Sequence, residues 1–307
     1  MPKYYIGEFI RETRERCGYT QEELSYGICT PASLSRIETG VQKPGYKKLD
    51  ALLERLGYGN SAVNEFISVE EMHVYNLTTK IQESIIEKDY SELEKLLDEL
   101  EPLLKNKSDF ERQYFWYAKG ILLRSQTDRR DEVLKLYMKA IHITLPEFDG
   151  ENVPENKLLT YDEITIINCI ASIHAEKGNI NEALKLGFWL KHYLEKGNID
   201  ENERKKKYPM IMFNLTNWLG ERRRYDDVLE VAECGINFCV KTGTLRCFPL
   251  IIFNKACALA ELGQINESIR YFTQATVIFE SMGDTKKMKR TVAWCKDKYN
   301  IVIDVIV

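Results

Sequence analysis

Two sets of side chains in this 307-residue chain have the types and spacing that recognition chemistry needs. The first is Thr30, Ala32, Ser33, Ser35 and Arg36, small or hydroxyl-bearing residues followed by one guanidinium. Small side chains let a backbone approach base edges, hydroxyls bond to bases or phosphates, and arginine pairs bidentately with guanine. Gln21, Lys43, Lys47 and Lys48 flank this set. An amide beside the free N–H groups of a helix start can hold a phosphate, and so can an ammonium. The second set is Asn168, Asn214 and Asn254, which precede Leu184, Leu229 and Ile269 by 16, 15 and 15 residues. A side-chain amide both donates and accepts, so a row of them can grip the backbone of an extended peptide without reading its sequence. The same row could instead bond helix to helix.

The first set needs a short, stiff platform, and the sequence supplies one. Ile6 to Cys17 reads as an amphipathic helix with Ile6, Phe9, Ile10 and Thr13 on one stripe, closed by Gly18. Thr20 to Leu24 starts a second helix, with Thr20 as N-cap and Glu23 completing a capping box. Gly27 stops it after about two turns. Thr30-Pro31 opens a third helix that runs to Glu38 and ends at Gly40. A fourth covers Asp50 to Leu56. Two short helices joined by a tight turn inside a compact bundle make a helix-turn-helix, with the third helix as its reading element.

The second set needs repeated helices. The stretches 170–184, 215–229 and 255–269 each carry an apolar helix end, a polar turn, an acidic first turn and a new apolar run. Weaker copies surround Leu93 and Leu134. The equivalent positions Leu93, Leu134, Leu184, Leu229 and Ile269 are 41, 50, 45 and 40 residues apart. That is a helix-hairpin repeat with a longer period than the roughly 34 residues of a tetratricopeptide repeat. The expected fold is therefore all-α: an N-terminal helix-turn-helix bundle at 1–66, a connecting helix and first repeat helix at 67–86, and a right-handed α-solenoid over 87–307. About five tetratricopeptide-like pairs and a closing helix near 284–302 would build that solenoid.

Composition agrees with this and excludes much else. Eight prolines and 17 glycines are too few for an all-β chain. No apolar leader opens the sequence and no apolar run is long enough to span a bilayer, so the expected setting is cytoplasmic, with no membrane partner. Eight cysteines without a C-x-x-C pair and four scattered histidines predict reduced thiols, no metal and no cofactor. No catalytic motif is present, and the prediction is that the chain is not an enzyme. Taken over the whole chain, a net charge of −4 argues against nucleic acid. Residues 1–66, however, hold nine basic and nine acidic groups, and from Arg36 to Lys48 four positive charges face only Glu38.

The run Thr20-Gln21…Leu24-Ser25…Ile28-Cys29…Ser35-Arg36-Ile37-Glu38…Gly40…Pro44 resembles the lambda-repressor (XRE-type) helix-turn-helix. Followed by degenerate tetratricopeptide-like pairs, it resembles the RRNPP quorum-sensing transcriptional regulators, and among them the PlcR-like branch. The resemblance implies a DNA-binding regulator controlled by a short signalling peptide in the concave groove of the repeats, acting as a homodimer on a near-palindromic double-stranded operator. Asn168 and Asn214 match family asparagines, Asn254 falls where a glutamine or asparagine is usual, and Lys88 falls near a basic contact at one end of the groove. The expected linker of signal to head is the helix 68–86. The alternative is a regulator or scaffold of the same build that senses a partner protein instead of a peptide.

Overall fold

A computed structural model describes residues 6–58, 69–106, 109–155 and 157–303. Among these residues all regular structure is helical. The head comprises α1 (Ile6–Arg16), α2 (Gln21–Ser25), α3 (Pro31–Glu38) and α4 (Tyr46–Arg55). Both expected caps form: Thr20 accepts the N–H of Glu23 and completes the capping box, and Thr30 accepts the N–H of Ser33 with Pro31 in the first turn. α4 begins four residues before the expected Asp50, capped by Gly45 rather than by a side chain.

The repeat region follows as α5 (Val69–Glu87), α6 (Tyr90–Leu100), α7 (Asp109–Gln126), α8 (Arg130–Ile141), α9 (Tyr161–Glu176) and α10 (Ile180–Lys196). α11 (Glu201–Glu221), α12 (Tyr225–Thr242), α13 (Phe248–Glu261), α14 (Ile265–Ser281) and α15 (Thr285–Tyr299) complete it. Taken in chain order, the helices of the described residues run as five successive twos and a closing helix, as the spacing of the apolar runs predicts. The marker positions Leu93, Leu134, Leu184, Leu229 and Ile269 all fall on the second helix of a pair. The connecting helix is α5; residues 67 and 68 and the boundary at 66 lie outside the described residues.

Two compact units divide the chain, one of residues up to 179 with 196–200, the other of 180–195 with 201 onward. In the first, the head is not separate from the repeats. Its core of Ile10, Leu24, Leu34, Ile37, Leu49, Leu52 and Leu53 also takes in Phe110 of α7. Two glycines permit the close approaches. A Cβ on Gly7 would stand 2.0 Å from the Ile37 carbonyl oxygen, so α1 and α3 meet only because it is absent. Gly27, with φ +67°, would place one 2.1 Å from the Thr144 carbonyl oxygen. The turn of the helix-turn-helix thus rests on the end of the α7–α8 hairpin.

Buried polar groups complete this junction. Arg55 of α4 donates to the carbonyls of Leu24 (3.1 Å) and Tyr26, and lies 3.7 Å from the carboxylate of Glu163 in α9. Glu163 also accepts from Thr144 Oγ1 at 2.6 Å and from the Thr160 N–H at 2.7 Å. Beside it, Glu54 accepts the Tyr161 N–H at 2.8 Å, so a head carboxylate caps the start of α9. Asn198 donates to the Leu56 carbonyl at 2.7 Å. An arginine whose side chain is 1% exposed is tolerable only with such partners. In the second unit, α11 to α15 pack as successive neighbours, and Ala256, Phe272, Cys295 and Ile301 share a core.

Candidate nucleic-acid interface and ligand cavity

The first turns of α3 present what the sequence promised. Thr30, Ala32 and Arg36 are exposed, and Ser33 and Ser35 are half-buried. Leu34 and Ile37 point inward on the opposite face, at 0% and 1% exposure, and fix the helix to the core. After Gly40 the chain folds back, with the N–H groups of Val41 and Gln42 donating to the Arg36 carbonyl at 2.9 and 3.0 Å. That return places Gln42 beside α3, where its Oε1 accepts from Ser33 Oγ at 3.2 Å. Gln42 is a base-edge or phosphate candidate that sequence reasoning missed, since nothing in a loop residue's spacing announces that it returns to the helix.

Gln21 sits at the start of α2 as expected, but its amide is committed. Nε2 donates to Glu38 at 2.7 Å, and Glu38 accepts from Arg14 at 2.6 and 3.1 Å. Burial opposes the Arg14 charge, yet the hydrogen bond to Glu38 dominates and raises its pKa. The buried Arg14–Glu38 pair therefore orients Gln21 and ties α1, α2 and α3 together. Lys43 is exposed and close to α3 in sequence. Lys47 has different surroundings. Burial works against its charge, but the carboxylates of Asp50, Asp162, Glu111 and Glu54 outweigh that and hold its ammonium above the ordinary lysine value. Two of those carboxylates belong to α7 and α9, so Lys47 faces the junction with the repeats. The positive set counted along 36–48 is one charge poorer around α3 than the sequence implies.

The asparagines are distributed over both units. Asn168 on α9, in the first unit, is only 4% exposed. Asn214 on α11, in the second, is half-buried, and neither residue lacks a partner. Asn254 on α13 lines a cavity of about 290 Å³ in the second unit. Its Nδ2 donates to Thr216 Oγ1 of the preceding pair at 2.9 Å. Here the helix-to-helix reading of the amide holds for the donor, while the residue still faces open space. Lys88 occupies the turn between α5 and α6, exposed and in the left-handed region at φ +61°.

The remaining cavity wall was not legible in the sequence. α15 contributes Trp294, Lys298 and Tyr299, and the end of α11 contributes Asn217 and Glu221. Glu261 anchors the far side: it accepts from Tyr225 at 3.1 Å and Tyr299 at 3.0 Å and pairs with Lys298 at 2.8 Å. Hydrogen bonding to Lys298 outweighs the opposing effect of burial and holds its carboxyl below the usual glutamate value. Glu221 is the opposite case, with burial lifting its carboxyl above that value.

All eight cysteines are free thiols, and no cluster of three metal-ligating side chains occurs among the described residues. Among the described residues no helix is long and apolar enough to cross a membrane.

Comparison with known proteins places this architecture. A helix-turn-helix profile matches residues 10–59, and the profile of the RNPP family C-terminal domain matches residues 78–301. No curated protein matches the chain in sequence. Among solved structures, PlcR of Bacillus thuringiensis, in complex with the peptide PapR7 and DNA, is similar with a TM-score of 0.56 at 19% identity, over 94% of this chain and 98% of that one. The SHP pheromone receptor Rgg2 of Streptococcus dysgalactiae matches with a TM-score of 0.51 at 16% identity, over 95% and 99%. The competence regulator ComR of Streptococcus vestibularis, in its apo form, gives 0.50 at 16%, over 96% and 98%. At these identities the likeness concerns the fold. The family profile spans most of the chain, and the protein is a member of the RNPP family with a helix-turn-helix head ahead of the family's C-terminal domain.

Proposed function

We propose that the chain is a transcription regulator, reading double-stranded DNA through α3 and controlled by a short signalling peptide held on the first helices of the repeats. The observation that carries this is the presence in one chain of both parts: an α3 that exposes Ala32 and Arg36 behind an exposed Thr30 cap, and an RNPP C-terminal domain with an amide-bearing cavity. The similar PlcR structure holds both a peptide and DNA. In this reading Arg36 reads a guanine, Ser33 with Gln42 and Thr30 contact bases or phosphates, and Ala32 and Ser35 allow close approach. Gln21, held by Glu38, and Lys43 contact the backbone. Lys47 contributes at the head–repeat junction. Asn168, Asn214 and Asn254 hold the peptide, with Lys88 at one end.

The division into a reader (1–66), a connecting segment (67–86) and a peptide-binding and dimerising part (87–307) belongs to this proposal, as do a cytoplasmic setting and a homodimer on a near-palindrome. Coupling runs through α9. Its first turn is gripped by Glu54 and Arg55 of the head, and Asn168 lies two turns further along. A peptide that binds two arrangements of α9 unequally shifts the freedom of the head. The sequence led to α5 for this role; the buried polar groups favour α9.

Gel-shift titration tests the reader: the chain should bind its own promoter, and Arg36→Ala should lose about 1–3 kcal/mol. Equal binding by both would remove α3 from the interface. Calorimetry with candidate peptides on Asn254→Ala tests the groove. Binding of a folded protein partner in place of any peptide would support the alternative sensor.

A further inference from the structure

The cavity in the second unit carries an uncompensated charge. Two carboxylates, Glu221 and Glu261, and one ammonium, Lys298, face it, which leaves one negative charge. Lys298 already has its partners: Glu261 at 2.8 Å, and the rings of Trp294 and Tyr299 at 5.6 and 4.9 Å. Glu261 accepts from two tyrosine hydroxyls besides. Glu221 has only the amide of Asn217, at 3.1 Å, and no described cation pairs with it. Glu221 is exposed at its outer side and partly desolvated toward the cavity, which raises its carboxyl pKa, and a cation brought to it favours the charged form.

Size and wall chemistry narrow the guest. Pockets that enclose a whole small molecule run from roughly 300 to 1,000 Å³. At about 290 Å³ this one stands at the bottom of that range and has room for one long side chain. Its aromatic walls, Tyr225, Phe253 and Trp294 among them, favour a cation with an apolar stem.

We propose that this cavity is a specificity pocket for one lysine or arginine side chain of the peptide ligand, with Glu221 as its counter-charge. The inference rests on the peptide-binding reading above.

The test uses the full chain and a random heptapeptide library with acetylated N-termini, so that side chains are the only cations. Captured peptides are eluted and sequenced by mass spectrometry. The wild type should enrich Lys or Arg at one position by about fivefold, the scale of a partly buried cation on a carboxylate and aromatic face. Glu221→Gln should bring that position back to the library level while preferences elsewhere persist, and Glu221→Lys should favour Asp or Glu there. Glu221 lies at the exposed rim, so the variants should melt like the wild type. Captured peptides without a Lys or Arg preference, or a preference that Glu221→Gln retains, would overturn the pocket assignment and leave peptide binding standing. Capture of no peptide at all would overturn peptide binding itself, and the pocket with it.

Discussion

At the base of the head, Arg55 and Glu163 face each other with side chains 1% and 0% exposed. In the second unit, Lys298 and Glu261 meet at 2.8 Å with 46% and 28% of their side chains open to water. The first pair lies in a dry junction where each partner also has backbone or hydroxyl contacts, and removing one strands the other. The second pair lines a hollow, and removing it costs little because water replaces the partner. A basic side chain against a glutamate thus serves two ends. Burial makes it hold the head to the repeats, and in the open hollow it ties Lys298 and Glu261 to each other beside Glu221, which has no described cation of its own.

The largest effect separating the two regions should come from Glu163→Ala. It leaves the Arg55 guanidinium buried without a carboxylate and should lower stability by about 3–5 kcal/mol in denaturant titration. Lys298→Met should cost under about 1 kcal/mol by the same measurement. Similar losses for both would dissolve the contrast. Gly27→Ala comes next. It imposes a positive φ on a side chain and drives a Cβ into the Thr144 carbonyl, with an expected cost of about 2 kcal/mol or more in thermal melts. Wild-type stability there would mean that the head does not rest on that hairpin.

Asn254→Ala should lower affinity for captured peptides by about 1 kcal/mol, read by calorimetry. An unchanged affinity would reduce this amide to its bond with Thr216. The smallest effect concerns pH. The Glu261 carboxyl lies below its ordinary value when folded, so its contribution is present above pH 4.5 and is lost as pH falls through the folded value. Lys298→Met should flatten that part of the acid limb. The change should stay under about 1 kcal/mol, since the pair is partly exposed.

Much of this was readable from residue order, and the division follows physical range. Local signals carried well. The Thr20/Glu23 box, the Thr30-Pro31 start and the apolar markers from Leu93 to Ile269 depend on neighbours within a turn or two, and they specify helices, caps and pairing. The outward face of α3 follows from the inward Leu34 and Ile37 in the same way. Contacts across long separations were silent. Lys47 reads as a phosphate clamp until Glu111 and Asp162 are brought to it. Gln21 reads as free until Glu38, 17 residues on, takes its amide. Glu221 and Glu261 share a register, eight residues before Leu229 and Ile269, but nothing in that spacing names Lys298, and only packing of α11, α13 and α15 assembles the three. Asn254 was found by its phase, but its bond to Thr216 was not.

In the proposed regulator, peptide occupancy and DNA affinity are linked in one molecule. The most direct measurement selects duplexes from a random DNA pool with the full chain, then follows affinity for the enriched duplex by fluorescence anisotropy as the low-molecular-weight peptide fraction of the host's spent medium is added. The account predicts an enriched near-palindrome whose affinity changes saturably with the peptide fraction, and an Arg36→Ala chain that binds it weakly throughout. An affinity that stays constant at every peptide concentration, or a pool from which no duplex is enriched, would contradict it.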